Sequence, residues 1–341
     1  MEIKEIKNKK TWNGFLLNFN DYTFLQSWQW GEINGGNSGK KVWRLAVFNK
    51  GKMMGIAQAF IIMAKRGKIF FVPHGPLFTS KIAWKLLIEE FQKIAIDNGC
   101  VCLRISPWEL RSKKNYRKYK NYGFIEAGVI MHAEDTWLVD LKASDEELLL
   151  RMRKTTRNLI RRGIKDGLKI SQSKNINDVN ILYDLQMEVV KRNNFVPFSK
   201  NYLFKEMNIL IEDDCAVLFL GEGSNGVVGA ALIVFLGRYA FYYQSGSKET
   251  KEPVNYLLQW EVIKEAKRRK CEIYNMWGVA PDDSLNHPWR GLTIFKTGFG
   301  GELKKYMKAI DLPIKKIGYF KLRILEKVPK NWRQILTKRM G

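Results

Sequence analysis

One pattern occurs twice in this chain, and it constrains the fold more than any other feature. "RLAVFNKGKMMGIAQAFIIMAKRGKIFFVPHGPL" (Arg44–Leu77) resembles "AVLFLGEGSNGVVGAALIVFLGRYAFYYQSGSK" (Ala216–Lys248). Each stretch reads as an apolar strand, a glycine-containing turn, a second apolar strand opening Gly-x-Ala, a third aromatic strand and a glycine-bearing loop. Gly55/Gly229 and Ala57/Ala231 are 174 residues apart, while Gly75/Gly246 and Cys100/Cys271 are 171 apart, so one hairpin loop absorbs the difference. Amphipathic helices are predicted over Ile82–Asn98 and Val254–Arg269. Each runs into a short strand, "CVCLRISP" or "CEIYNMWGVAP", and the order strand, strand, strand, helix, strand therefore appears twice.

That order is the core of an N-acetyltransferase-like (GNAT-like) fold. We expect an α+β protein of two tandem GNAT-like (acyl-CoA N-acyltransferase-like) domains, with mixed, mostly antiparallel sheets and flanking helices. A length of 341 residues suits two domains, and 45% hydrophobic content is ample for two cores. The longest apolar run, Ile56–Ala64, is too short to span a bilayer, and the N-terminus has no apolar segment of the secretory kind. Cys100, Cys102, Cys215 and Cys271 lie in or beside strand-like runs without metal-ligand spacing, as reduced core thiols of a cytoplasmic protein do. Three scattered histidines, His74, His132 and His287, make a metal site improbable, and none is expected.

Coenzyme A binding in this fold needs glycines opening directly into the central helix, whose N-terminal amides hold the pyrophosphate. Here "PHGPLFTSKIAW" and "QSGSKETKEPVNY" lack such a run, and Pro76 and Pro253 each remove an amide donor. No cofactor is expected. The formal net charge of +24 argues instead for a polyanionic partner. Between the repeats, Arg151 to Lys169 carries eight Lys/Arg and the single acid Asp166. Arg153, Arg157, Arg161 and Lys165 recur every four residues and share a helix face, with Met152, Leu159, Ile160 and Ile164 as the buried stripe. Pro313–Gly341 has nine Lys/Arg against Glu326, and an apolar side suited to an anionic membrane surface or an RNA backbone.

Several blocks in order resemble the Fem-type (FemABX) peptidyltransferases, which build the interpeptide bridge of peptidoglycan from aminoacyl-tRNA. They are "FLQSWQWGEIN", "FFVPHGPLF", the basic "RMRKTTRNLIRRGIKDGLKI" and "GLTIFKTGFGGELKKYMKAIDLPI". The resemblance implies a first domain of residues 1–146 plus 317–341, the C-terminal segment packing back, and a second of 147–316. It implies aminoacyl-tRNA as donor and a peptidoglycan precursor (lipid II or UDP-MurNAc-pentapeptide) as acceptor. A monomer is expected, and the basic tail points to a cytoplasmic protein in peripheral contact with the inner face of the plasma membrane. Asn34, Ser106 and Phe198 depart from the family pattern and leave a different acceptor open.

In "GLTIFKTGFGG" the resemblance makes Lys296 and Phe295 catalytic, with Lys296 a fixed cation for an oxyanion or a terminal phosphate. Phe295 and Phe299 alternate with it along an extended stretch, and Gly298, Gly300 and Gly301 leave room for a ribose. Arg192, Tyr242, Tyr243, Gln244, Trp30 and His74 are the expected precursor-binding residues; Arg153, Arg157, Arg161, Lys165 and Arg290 are expected to bind tRNA. His74 is a conceivable proton acceptor, although a loop histidine is more often held by packing. Two other readings stay open: a tandem GNAT-like N-acyltransferase with another acyl donor, and a non-catalytic RNA- or membrane-surface-binding protein.

Overall fold

The computed structural model describes residues 1–35, 40–64, 67–193, 197–281 and 287–327. They form two compact units, Met1–Glu134 with Lys305–Gly341 (described to Lys327), and Asp135–Lys304. Strands of the first unit are β1 (Glu2–Glu5), β2 (Val42–Asn49), β3 (Lys52–Ala64), β4 (Gly67–Pro73), β5 (Leu77–Phe78), β6 (Cys102–Ser106) and β7 (Ile125–Glu126). The second unit has β8 (Asp135–Asp140), β9 (Lys169–Ser173), β10 (Ala216–Gly223), β11 (Gly226–Leu236), β12 (Tyr239–Ser247), β13 (Ile273–Gly278) and β14 (Glu302–Lys305); β15 (Ile310–Pro313) belongs to the first. The sheet orders are β1-β2-β3-β4-β6-β15-β7, with β5 on β3, and β14-β8-β13-β12-β11-β10-β9.

The repeat persists down to single hydrogen bonds. Three antiparallel strands, β2–β4 or β10–β12, lead into a helix, Lys81–Asp97 or Val254–Arg268, which returns as a strand parallel to the third. Each helix ends the same way: Cys100 N donates to Ala95 O and Cys271 N to Ala266 O, both at 2.9 Å. The preceding residue has positive φ in both copies, Gly99 at 69° and Lys270 at 62°. The helices bury Leu87, Ile88 and Phe91, or Leu257, Val262 and Ile263, on the apolar faces of their own sheets. The α+β class, the tandem GNAT-like units and the mostly antiparallel sheets agree with the expectation.

The unit boundaries differ from those expected at 146/147 and 316/317. β8 leaves the first unit because it pairs antiparallel with β13, for example Val139 opposite Tyr274. β15 joins the first unit earlier than Ile317 because Ile310–Pro313 lies antiparallel to β6. Beyond Lys327 the expected basic tail falls outside the described residues.

Inside the first unit, Arg104 on β6 holds β15 and the helix Lys316–Lys327 together. Its Nε and Nη2 donate to Asp311 at 2.7 and 2.8 Å, and Nη1 and Nη2 donate to Glu326 at 2.7 and 3.0 Å. Tyr319 donates to Asp311 at 2.9 Å. Arg104 and Asp311 side chains are 1% and 0% exposed, so each carboxylate compensates a charge that water cannot reach.

The glycine-rich block is not extended. Arg290–Thr297 is a helix, and Gly298 is its C-cap. A Cβ on Gly298 would stand 2.4 Å from Thr156 Oγ1. Gly300 and Gly301 have φ of 77° and 98°, and a Cβ on Gly301 would meet Leu138 O at 2.2 Å. These glycines let the chain turn and pass close to its own backbone, and that is what occupies the space expected for a ribose.

Two expectations follow. Arg104→Ala leaves Asp311 buried and uncompensated, and should cost about 3–5 kcal/mol of unfolding free energy in denaturant titration, whereas Arg104→Met with Asp311→Leu recovers most of it. Gly301→Ala should cost more than about 1 kcal/mol, while exposed Gly291→Ala, in the same block but with nothing near its Cβ, should be neutral or stabilising by up to about 1 kcal/mol.

Candidate functional site

In the second unit β12 and β13 pair in parallel only from Tyr239/Ile273 to Phe241/Asn275. The corresponding β4 and β6 stay paired from Ile69/Cys102 to Pro73/Ser106. The early separation coincides with a bulge: Leu232 pairs Gln244 and Ile233 pairs Tyr242, so Tyr243 is the extra residue. Consecutive tyrosines consequently serve different environments.

Tyr242 lies beneath Lys296, whose Nζ is 5.5 Å from the ring centroid and donates to Gly278 O of β13 at 2.7 Å. The lysine side chain thus bridges the two strands where they part. It is 4% exposed, not the solvated strand-end lysine that most sequence positions of this kind would hold. Burial takes its pKa down to about 7, and no carboxylate among the described residues offsets the loss of hydration. Its helix is fixed at both ends of its length: Ala280 N donates to Thr293 Oγ1 at 2.8 Å, and Arg153 donates through Nη2 to Thr297 Oγ1 at 2.8 Å and through Nη1 to Ile294 O at 3.3 Å. A cation on the last turn also suits the helix dipole.

Phe295 packs edge-on against Tyr256 at 5.0 Å and Phe299 at 5.3 Å. Tyr256 in turn lines a cleft of about 280 Å³ at the start of the helix Val254–Arg268, with Arg192, Lys248, Glu249, Thr250, Glu252 and Asn255. Arg192 donates to Ser247 O at 2.7 Å on this rim. The second unit therefore brings Lys296, Phe295, Tyr242 and Arg192 into one connected region, which Tyr256 and Lys248, unremarkable as sequence positions, also line.

Tyr243 and Gln244 face elsewhere. Tyr243 Oη donates to Glu206 at 2.6 Å, Gln244 Nε2 reaches the same carboxyl at 3.3 Å, and Gln186 donates to Gln244 at 3.1 Å. Glu206 is fully buried, and burial raises its pKa to about 7 against the opposing hydrogen bonds. Both residues are engaged by an internal carboxyl, not displayed for a ligand. Glu206 did not stand out in the sequence because Tyr243 and Gln244, which join Tyr202 around its carboxyl, lie on a strand more than thirty residues away.

Trp30 and His74 belong to the first unit, where both flank His132: ring centroids are 6.3 Å from His132 for Trp30 and 5.2 Å for His74. His74 shares a 2.9 Å hydrogen bond with Thr23 Oγ1 and stacks on Trp108 at 4.4 Å. Trp108 in turn stacks on Tyr306 at 3.5 Å, and Asp21 accepts from both. Burial, with repulsion from His132 second, holds His74 well below the ordinary histidine pKa, and burial takes His132 to about 4. Such a ring is a poor proton acceptor, and packing accounts for His74.

The basic helix Lys154–Lys165 buries Thr156, Ile160 and Gly163, whereas Ile164, expected in the buried stripe, is 59% exposed. Close approach of Gly163 to Leu257 turns the buried face away from Ile164. Arg157 donates to Leu150 O and Met152 O at 2.8 and 3.1 Å, closing the end of the preceding helix Asp145–Arg151. Of the expected tRNA face, Arg153 and Arg157 are thus engaged with protein carbonyls, while Arg161 and Lys165 are exposed and make no ion pair among the described residues. Arg290 is exposed at the first residue of the Lys296 helix. Asn34 donates to Trp30 O at 2.9 Å, and Phe198 stacks on Tyr202 at 4.9 Å.

Residues 214–327 match the model of the FemAB family. No curated protein matches the sequence. Among solved structures, FemX is similar to 95% of this chain over 100% of its own, with a TM-score of 0.84 and 17% identity. L-PGS from Bacillus licheniformis covers 96% of this chain and 100% of its own (TM-score 0.57, 14% identity). A tandem GNAT protein from the clavulanic acid biosynthesis pathway covers 92% and 98% (TM-score 0.58, 10% identity). The resemblance to the Fem-type family is borne out in sequence over residues 214–327, and 95% of the chain shares the fold of FemX.

Proposed function

We propose that the chain is an aminoacyl-tRNA-dependent aminoacyltransferase that adds an amino acid to the stem peptide of a peptidoglycan precursor, lipid II or UDP-MurNAc-pentapeptide. The observation that carries this reading is the buried Lys296 ammonium at the parting of β12 and β13, within the residues 214–327 that match the FemAB model. The acceptor amine's lone pair attacks the ester carbonyl carbon. The bond from that carbon to the ribose 3′ oxygen breaks, and the amine proton passes to the leaving hydroxyl through substrate hydroxyls or water.

Ester to amide is downhill, so the protein's task is positioning and charge stabilisation. Lys296 supplies one cation in a water-poor setting, where an oxyanion or terminal phosphate feels it strongly. The cleft bearing Arg192 and Lys248 takes phosphate oxygens, for which a guanidinium offers paired donors. Arg161, Lys165 and Arg290 meet the tRNA backbone.

The test is RNase-sensitive transfer of labelled amino acid from aminoacyl-tRNA to lipid- or nucleotide-linked muramyl pentapeptide. Turnover of acetyl-CoA with no transfer from any aminoacyl-tRNA would replace this reading with an ordinary N-acyltransferase. Lys296→Met should lower transfer by at least about a hundredfold. Because the lysine acts as a cation, the ratio of wild-type to variant rates should be largest below pH 7 and shrink as pH rises above it. A ratio that grows with pH would make the neutral amine the active form.

Stability should move the other way. With a folded pKa of about 7 against the usual 10.5, the unfolded chain binds more protons between those values. The burial penalty is full below pH 7 and relieved as pH climbs towards 10.5. Lys296→Met should therefore raise the melting temperature at neutral pH, with the gain fading in alkaline buffer.

A further inference from the structure

The helix Lys316–Lys327 has two unlike faces. Tyr319 and Leu322 pack inward with Ile69, Val101 and Cys102, and Glu326 is drawn onto Arg104. On the other side Ile317, Phe320 and Ile324 are 76%, 66% and 47% exposed. At 100° per residue they share one sector roughly 60° wide, bordered by Lys316 and Lys321. Both lysines, and Lys315 just before the helix, are exposed and make no ion pair among the described residues. The helix's one acid, Glu326, is consumed internally, and Glu126, whose backbone oxygen holds Arg323, has its carboxylate on Lys308 at 2.7 Å.

Isolated exposed apolar residues are ordinary, but three in register between lysines, with the acids withdrawn, are not. We propose that this stripe seats the protein on an anionic phospholipid surface, the apolar side chains entering the headgroup boundary and the lysines meeting lipid phosphates. A second copy placed face to face would set the same lysines against one another in a chain already carrying +24. An RNA backbone would engage the lysines and leave Ile317 and Ile324 without a role. Among the described residues no helix is long and apolar enough to cross a membrane, so the contact is along the surface. The proposal does not depend on the transfer reaction.

Flotation of the RNase-treated full-length chain with phosphatidylcholine vesicles, with and without phosphatidylglycerol, tests it. Binding should require phosphatidylglycerol and weaken with salt. Lys316→Gln and Lys321→Gln should each weaken it about fivefold. The double variant Phe320→Ser/Ile324→Ser should lose most of it with an unchanged melting temperature, since both side chains are exposed. Equal binding to both vesicles, or none, overturns the proposal. So does a response to the lysine variants but not to the apolar pair, which would make this a general polyanion site. Loss of self-association in the apolar pair, with vesicle binding unaltered, would assign the stripe to a second copy.

Discussion

The first unit rests on a charge that water cannot reach. Arg104 sits in the middle of β6, a strand buried along its whole length, and its guanidinium is tolerable there only because Asp311 and Glu326 surround it. Both carboxylates come from chain that follows the second unit. The ion cluster therefore enforces a topology: the polypeptide must return, lay β15 against β6 and place the helix Lys316–Lys327 over the sheet end. Tyr319, which donates to Asp311 and also packs on Cys102, ties the polar cluster to the apolar one beside it. A hydrophobic strand in place of β15 would fill the sheet without specifying which segment fills it; the charge supplies that choice.

In the second unit the governing physics is the opposite, a buried cation that meets no carboxylate among the described residues. Among the described residues Lys296 is met by a carbonyl and an aromatic face, which favour the ammonium but offset its lost hydration less than a carboxylate would. Stability gained elsewhere supports it: the helix is pinned by Thr293 and Arg153, and the strands beneath it by Ile233, Phe235 and Tyr274 in the core. A site that holds a destabilising charge in a rigid frame is disposed to favour an anion arriving from outside.

The repeat was legible because period-two apolar runs, turn glycines and a long amphipathic helix are local signals, and matching offsets multiply their weight. β8 and β15 were not, since a six- or four-residue strand reveals nothing about which partner it will join. The block around Lys296 misled for a related reason. "LTIFK" alternates well enough for a strand, and only the contacts of Thr293, Thr297 and Gly298 with distant segments turn it into a helix. The resemblance singled out Lys296, Phe295 and Arg192, and the fold brings the three into one region of the second unit. Glu206 was not singled out, and without it Tyr243 and Gln244 looked available for a ligand when they are spoken for within the fold.

The return of β15 also orders events during synthesis. Asp135–Lys304 is continuous in sequence and can close as soon as it leaves the ribosome. The residues ahead of it cannot: until Asp311 emerges, β6 presents an open edge and an uncompensated arginine. The amino-terminal half of this protein is therefore made first and finished last, and any nascent chain stalled between the two units carries an unfilled slot shaped for its own unmade C-terminal strand.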